Sequence, residues 1–158
     1  MSGQLRSPLD VLVLLEDDDG DILLTKRSGR APASGMWALP SGGVEEGEDV
    51  VATVQRELRE ELGLLVARDD ITCVAVVHAR PPLGPARVGF GFLVRRWSGH
   101  PQIMEPHLCS ELRWVGPEEV AALAATAPVM SYTQEIVRLW VQGESFSTIG
   151  WSEALRTV

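Results

Sequence analysis

The sequence predicts an α/β protein in which a mixed β-sheet lies between helices. Three observations predict it. Apolar runs of strand length recur at 10–15, 22–27, 71–80 and 87–97. A helical pattern at 49–62 separates the second pair of runs from the first, with Val51, Val54, Leu58 and Leu62 on one side. Two more helical patterns, 117–124 and 131–142, follow a short strand at 111–115. The 158 residues, 45% of them hydrophobic, suit a single domain over 1–158.

Each element has its own local signal. Residues 1–8 are polar and expected to be loose. The runs 10–15 and 22–27 flank the acidic turn Glu16 to Asp21 and read as a hairpin. Gly, Pro and Ser make 28–36 a loop, and the Pro81 to Pro85 stretch a rigid turn. Gly89 and Gly91 alternate in the 87–97 strand, where they permit close approach to the sheet. A long loop spans 98–110. Pro117 with Glu118 and Glu119 behind it opens a helix. Ser131 and Gln134 have capping-box spacing, Tyr132, Ile136, Leu139 and Trp140 share one helical face, and Gly143 ends that helix.

The chemistry concentrates in residues 42–64. A glycine loop at Gly42 and Gly43 precedes the helix. Glu57, Glu60 and Glu61 stand at i, i+3 and i+4, so their carboxylates converge on one helical face. Like charges that close raise one another's pKa, and a divalent cation relieves them. Oxygen donors alone suit Mg²⁺ or Mn²⁺ rather than zinc. Arg56 lies within helical reach of Glu60, and of Glu48 two turns earlier, placing it to orient carboxylates.

These residues carry a resemblance. Gly42, Glu48, Arg56, Glu57, Leu58, Glu60, Glu61, Gly63 and Leu64 match every specified position of G-x5-E-x7-R-E-U-x-E-E-x-G-U, with U a bulky aliphatic residue. That pattern is similar to the box of the Nudix hydrolases. The lead-in Trp37-Ala-Leu-Pro40 also resembles the family, with Ser41 where a glycine is usual. The resemblance implies an α/β/α sandwich and Mg²⁺-dependent hydrolysis of a nucleoside diphosphate linked to a group X. It implies that Glu57, Glu60, Glu61 and the Gly42 carbonyl hold the metal, with Glu57 alternatively the base, while Arg56 and Glu48 orient them. It further implies a small-molecule nucleotide as partner, and the family often forms homodimers.

Substrate choice rests on less. Residues 105–115 resemble a segment of the MutT-like nucleoside triphosphate group, which favours a triphosphate giving a monophosphate and pyrophosphate. ADP-ribose or a nucleotide sugar is the alternative, and a non-catalytic nucleotide sensor a third reading that the intact box carboxylates disfavour. With Lys26 the one lysine beside thirteen arginines, phosphate contacts fall to arginines. Arg27 and Arg30 before the box are the first candidates and Arg80 and Arg87 around the proline turn the next, against ordinary surface roles. Glu105 and Glu111 are candidates for an additional carboxylate. His100, His107 and Cys109 make an incomplete zinc set. Trp37 is expected to pack rather than stack on a base, and His78 to be a hydrogen-bonded edge residue. Trp97, Trp114, Trp140 and Trp151 read as packing residues.

A net charge of −8 argues against general binding of nucleic acid or anionic membrane. No apolar run is long enough to span a bilayer. Cys73 and Cys109 are isolated, which points to free thiols and a reducing cytoplasm.

Overall fold

β1 (Leu9–Leu15) is buried from Val11 through Leu15, so both its faces need cover and it cannot sit at a sheet edge. It lies between β4 (Ser41–Gly43) and β6 (Arg87–Val94), antiparallel to the first and parallel to the second. β6 continues the sheet through β5 (Ile71–Ala79) to β8 (Phe146–Ile149), giving the order β4-β1-β6-β5-β8. A smaller antiparallel sheet joins β3 (Trp37–Ala38), β2 (Ile22–Arg27) and β7 (Cys109–Val115) in the order β3-β2-β7. This computed structural model describes residues 3–152.

One face of the larger sheet is covered by α1 (Val50–Leu62). Its Val54, Leu58 and Leu62 pack with Val11, Val13, Leu15, Phe92 and Val94. Each fully buried leucine of this kind contributes about 1.5–3 kcal/mol. The other face is covered by α3 (Ser131–Gln142), whose Ile136, Val137 and Leu139 meet Leu12, Leu14, Ala75 and Val77. The expected sandwich with a mixed sheet is therefore present. Gly89 and Gly91 do permit close approach. A Cβ at Gly89 would overlap the Tyr132 ring, and one at Gly91 would lie 2.8 Å from Ile136 Cγ2.

Several expectations need correction. Residues 10–15 and 22–27 are not a paired hairpin. Asp17 N–H donates to the Asp21 carbonyl at 2.9 Å and one bridge joins Glu16 to Ile22. Beyond it the strands part into different sheets, because β1 takes β4 and β6 as neighbours. At the end of the stretch expected to be loose, Pro8 is tied to β6, its carbonyl accepting from Val88 N–H at 3.0 Å; residues 1–2 lie outside the described residues. Ser131 does not cap α3. The N-cap is Met130 without a side-chain bond, and Gln134 Nε2 donates to the Val129 carbonyl instead. β6 stops at Val94 rather than 97, and β7 begins at Cys109 rather than 111. The helix expected at 117–124 opens as a 3₁₀ turn, Pro117–Glu119, before α2 (Val120–Ala124). The short β3, β4 and β8 carry no periodic signal of their own.

Candidate active site

α1 is placed by its ends as much as by its apolar stripe. Asp49 caps it, accepting from Ala52 N–H at 2.8 Å, and Gly63 closes it in the left-handed region at φ 70°. The polar face then carries Arg56, Glu57, Glu60 and Glu61.

Arg56 is the hub of this face. Its Nη2 and Nε donate to the two Glu48 oxygens at 2.7 and 3.0 Å. Its Nη1 reaches Glu57 at 2.6 Å and Glu60 at 3.3 Å, and Nη2 also donates to the Gly43 carbonyl at 2.9 Å. The side chains of Arg56, Glu48 and Glu57 are only 15, 15 and 12% exposed, so water screens these contacts weakly. The Arg56 bond, then the Glu45 N–H, hold the Glu48 carboxyl down at about 2. The same bond to Glu48 keeps Arg56 charged. Thr53, buried in α1, donates to Glu48 at 2.9 Å.

Glu57 and Glu61 are driven the other way. Burial pushes the Glu57 carboxyl above its ordinary value despite Arg56. Burial, then the Glu57 charge, pushes Glu61 well above its own. Each carboxyl thus bears on the other's ionisation. Gly42 makes room for them, since a Cβ there would overlap the Glu57 carboxyl. Glu60 is turned onto Arg56 and 49% exposed. Among the described residues, no three His, Cys, Asp or Glu side chains are gathered as a metal cluster. The structure thus joins two of the three expected carboxylates and holds the third beside them through Arg56.

A pocket of about 180 Å³ opens beside this pair, bringing Arg27, Arg30, Ser41, Glu105 and Cys109 to Glu61. Arg27 Nε donates to the Pro32 carbonyl. Glu111 is not among the lining residues; it is exposed on β7, 3.5 Å from Lys26. Arg80 and Arg87 line a different pocket of about 530 Å³ with Tyr132. Arg87 is bound to Asp10 at 2.6 and 2.7 Å, and Arg80 lies 5.4 Å from the centre of the Trp151 ring. This pocket and another of about 540 Å³ contain none of the box carboxylates.

Except for His78, the remaining residues follow the packing readings. Trp37 is 4% exposed, with Lys26 Nζ 5.7 Å from its ring centre. His78 departs from the expected hydrogen-bonded edge residue: it lies between β6 and β8, its ring sits 4.7 Å from the Trp151 ring, and it is the backbone carbonyl that accepts from Trp151 Nε1 at 3.1 Å. Trp97 stacks on Trp114 at 6.3 Å, and Trp140 packs against the α3-side core. His100 and His107 are exposed, and Cys73 and Cys109 are free. Sequence reasoning missed Asp10, the partner that occupies Arg87. A lone acid inside an otherwise apolar strand was the available signal.

A motif helix carrying an arginine-tied carboxylate cluster above a glycine loop defines a class, and the comparisons agree with it. The NUDIX domain family model matches residues 6–134, and the chain belongs to the Nudix family. Nucleoside triphosphatase NudI of Salmonella arizonae is 38% identical over 68 residues, 43% of this chain and 48% of that protein. The chain thus matches about half the length of this curated relative. The crystal structure of a MutT NUDIX hydrolase from Burkholderia pseudomallei is similar at a TM-score of 0.73 and 30% identity, covering 84% of this chain and 97% of that one. The solution structure of the E. coli ORF135 protein is similar at 0.71 and 27%, covering 87% and 91%.

Proposed function

We propose that this protein is a Mg²⁺-dependent pyrophosphohydrolase of small nucleotides, most favourably a nucleoside triphosphate cleaved to a monophosphate and pyrophosphate. The observation that carries the reading is the partly buried pair of carboxyls, Glu57 and Glu61, set over Gly42. Two carboxyls whose charged forms burial disfavours, with the Glu57 charge adding to the effect on Glu61, lie over a side-chain-free glycine and form an oxygen-donor site that a divalent cation fits. Glu57, Glu61 and the Gly42 carbonyl would hold the cation, with Glu60 swinging from Arg56 to join them. Bound there, Mg²⁺ or Mn²⁺ supplies charge neutralisation on phosphate oxygens and a more acidic water.

The chain's own residues do the rest. Arg56 keeps Glu48 and Glu57 in one geometry, so little reorganisation is needed when charge develops. Arg27 and Arg30 bring positive charge to the phosphates beside Glu61. The triphosphate choice draws support from the named activity of NudI and from the pocket's arginines. The free thiols suit a reducing compartment. No helix among the described residues is long and apolar enough to cross a membrane.

Phosphate release from a panel of nucleotides with and without Mg²⁺ tests the reading. Arg27→Ala should raise KM about tenfold, the roughly 1.4 kcal/mol of one charge-assisted contact. AMP and ribose 5-phosphate from ADP-ribose, with triphosphates untouched, would reject the substrate while leaving the chemistry. Millimolar Mg²⁺ should also raise the melting temperature, because it binds the folded state. Glu60→Gln should shrink that rise. An identical rise in both proteins would place the cation elsewhere.

A further inference from the structure

Thr53 is a polar residue in a place that packing alone would give to an apolar one. It is fully buried in the first half of α1. Threonine is a poorer helix former than alanine there, and a buried hydroxyl costs free energy unless it is bonded. Two oxygens lie within its reach, Glu48 Oε1 at 2.9 Å and the Asp49 carbonyl at 3.0 Å. One hydroxyl proton cannot serve both. The Asp49 carbonyl already accepts from Thr53 N–H at 3.0 Å, and a carboxylate is the stronger acceptor. The hydroxyl therefore belongs to Glu48. Glu48 Oε1 then accepts three times, from Thr53, from Glu45 N–H at 2.9 Å and from Arg56 Nη2 at 2.7 Å.

We infer that Thr53 is a positioning residue: from the buried side of α1 it fixes the Glu48 carboxylate, and through it holds the Arg56 guanidinium against Glu57. The inference rests on the pyrophosphohydrolase reading above and deepens it. Glu48 and Arg56 are joined by two bonds, at 2.7 and 3.0 Å, a forked contact that needs both groups to stay in one plane. Neither partner fixes that plane in space, since both side chains are long and can turn together. Glu45 N–H reaches Glu48 from the loop before α1. Thr53 is short, branched at Cβ and therefore stiff, and it stands on α1 one turn before Glu57, at i and i+4. Its hydroxyl thus refers the ion pair to the helix that carries Glu57. With Glu48 so fixed, Arg56 Nη1 is aimed at Glu57 at 2.6 Å, over Gly42. Valine at this position would keep the shape and take one donor from Glu48 Oε1, leaving the carboxylate free to tilt and draw Arg56 with it.

Hydrogen exchange of the Arg56 Nε–H, followed by NMR and assigned by its loss in Arg56→Lys, tests this without metal or turnover. Thr53→Val should speed that exchange about tenfold, the scale of one hydrogen bond to a charged group. The backbone amides of Val54 and Leu58 should exchange as in wild type, because valine fills the same space. Thr53→Ser returns the hydroxyl and should restore slow exchange at Arg56. In turnover, Thr53→Val should lower kcat and kcat/KM together, again about tenfold, because the held arginine acts on charge that develops in the reaction. Thr53→Ser should recover most of that loss. Equal Arg56 exchange in wild type and Thr53→Val would overturn the assignment, as would unchanged kcat beside faster exchange. Faster exchange all along α1 would also overturn it, by showing a packing role alone. Failure of the wild type to turn over any nucleotide would defeat the hydrolase reading, and the exchange rates would still decide what Thr53 holds.

Discussion

Glu61→Gln is expected to lower turnover about a hundredfold or more, some 2.7 kcal/mol of barrier, with no fall in melting temperature. Burial, then the Glu57 charge, raises the Glu61 carboxyl well above its ordinary value. The amide keeps the shape and the hydrogen-bond donor and abolishes the charge that a cation needs. Steady-state kinetics and thermal unfolding on one preparation separate the effects, and activity within a few-fold of wild type would remove Glu61 from the site. The pH dependence has a definite sign. A carboxyl raised above 4.5 in the fold costs stability as pH rises through that value toward the folded one. Metal-free wild type should therefore lose stability over that rise, and Glu61→Gln should lose less. Glu48 opposes it. Its carboxyl is lowered to about 2, so its contribution is complete above 4.5 and disappears as pH falls toward 2.

Arg56→Ala is expected to have the largest effect on stability. One guanidinium meets Glu48, Glu57, Glu60 and the Gly43 carbonyl. Its removal leaves Glu48 and Glu57 nearly enclosed without a counter-charge. Breaking a fully buried pair costs about 3–5 kcal/mol, and partial exposure here brings the expectation to about 2–3 kcal/mol. For a chain of this size that lowers the melting temperature by roughly 5–10 °C. Arg56→Lys should recover little, because an ammonium cannot serve both Glu48 oxygens and Glu57 at once. A melting temperature within a degree or two of wild type would show that the hub is ornamental. Added Mg²⁺ should rescue part of the loss, since a cation at Glu57 restores some of the missing charge.

How much of this was legible in the sequence follows from the range of each interaction. Glu57, Glu60, Glu61 and Arg56 lie within one helical turn or so of one another, so spacing alone put them on one face. Asp49, Gly63 and the Val54–Leu58–Leu62 stripe announced the helix that carries them. That Arg27 and Arg30 lie near the box was legible because only a short loop follows β2 before it. Other features depended on chain segments far apart in sequence. Arg80 and Arg87 looked equivalent to Arg27 as cations. Only the pairing of β1 with β6 shows that Asp10 takes Arg87, and that both line a pocket without the carboxylates. Glu105 and Glu111 looked alike, but the pairing of β7 with β2 sets Glu111 opposite Lys26, while Glu105, in the loop before β7, lines the pocket beside Glu61.

By itself the sequence determined the α/β class, the box helix and its ends, and the acidic, arginine-tied chemistry of that helix, because these are set by neighbours a few residues apart. Only the tertiary structure decided which strands pair and how the charges settle. The run at 11–15 is buried on both faces, so β1 sought two partner strands rather than one hairpin neighbour. Burial, which no spacing reveals, raised the Glu57 and Glu61 carboxyls while Arg56 held Glu48 low. Contact between loops some eighty residues apart in the chain set the size of the pocket they enclose.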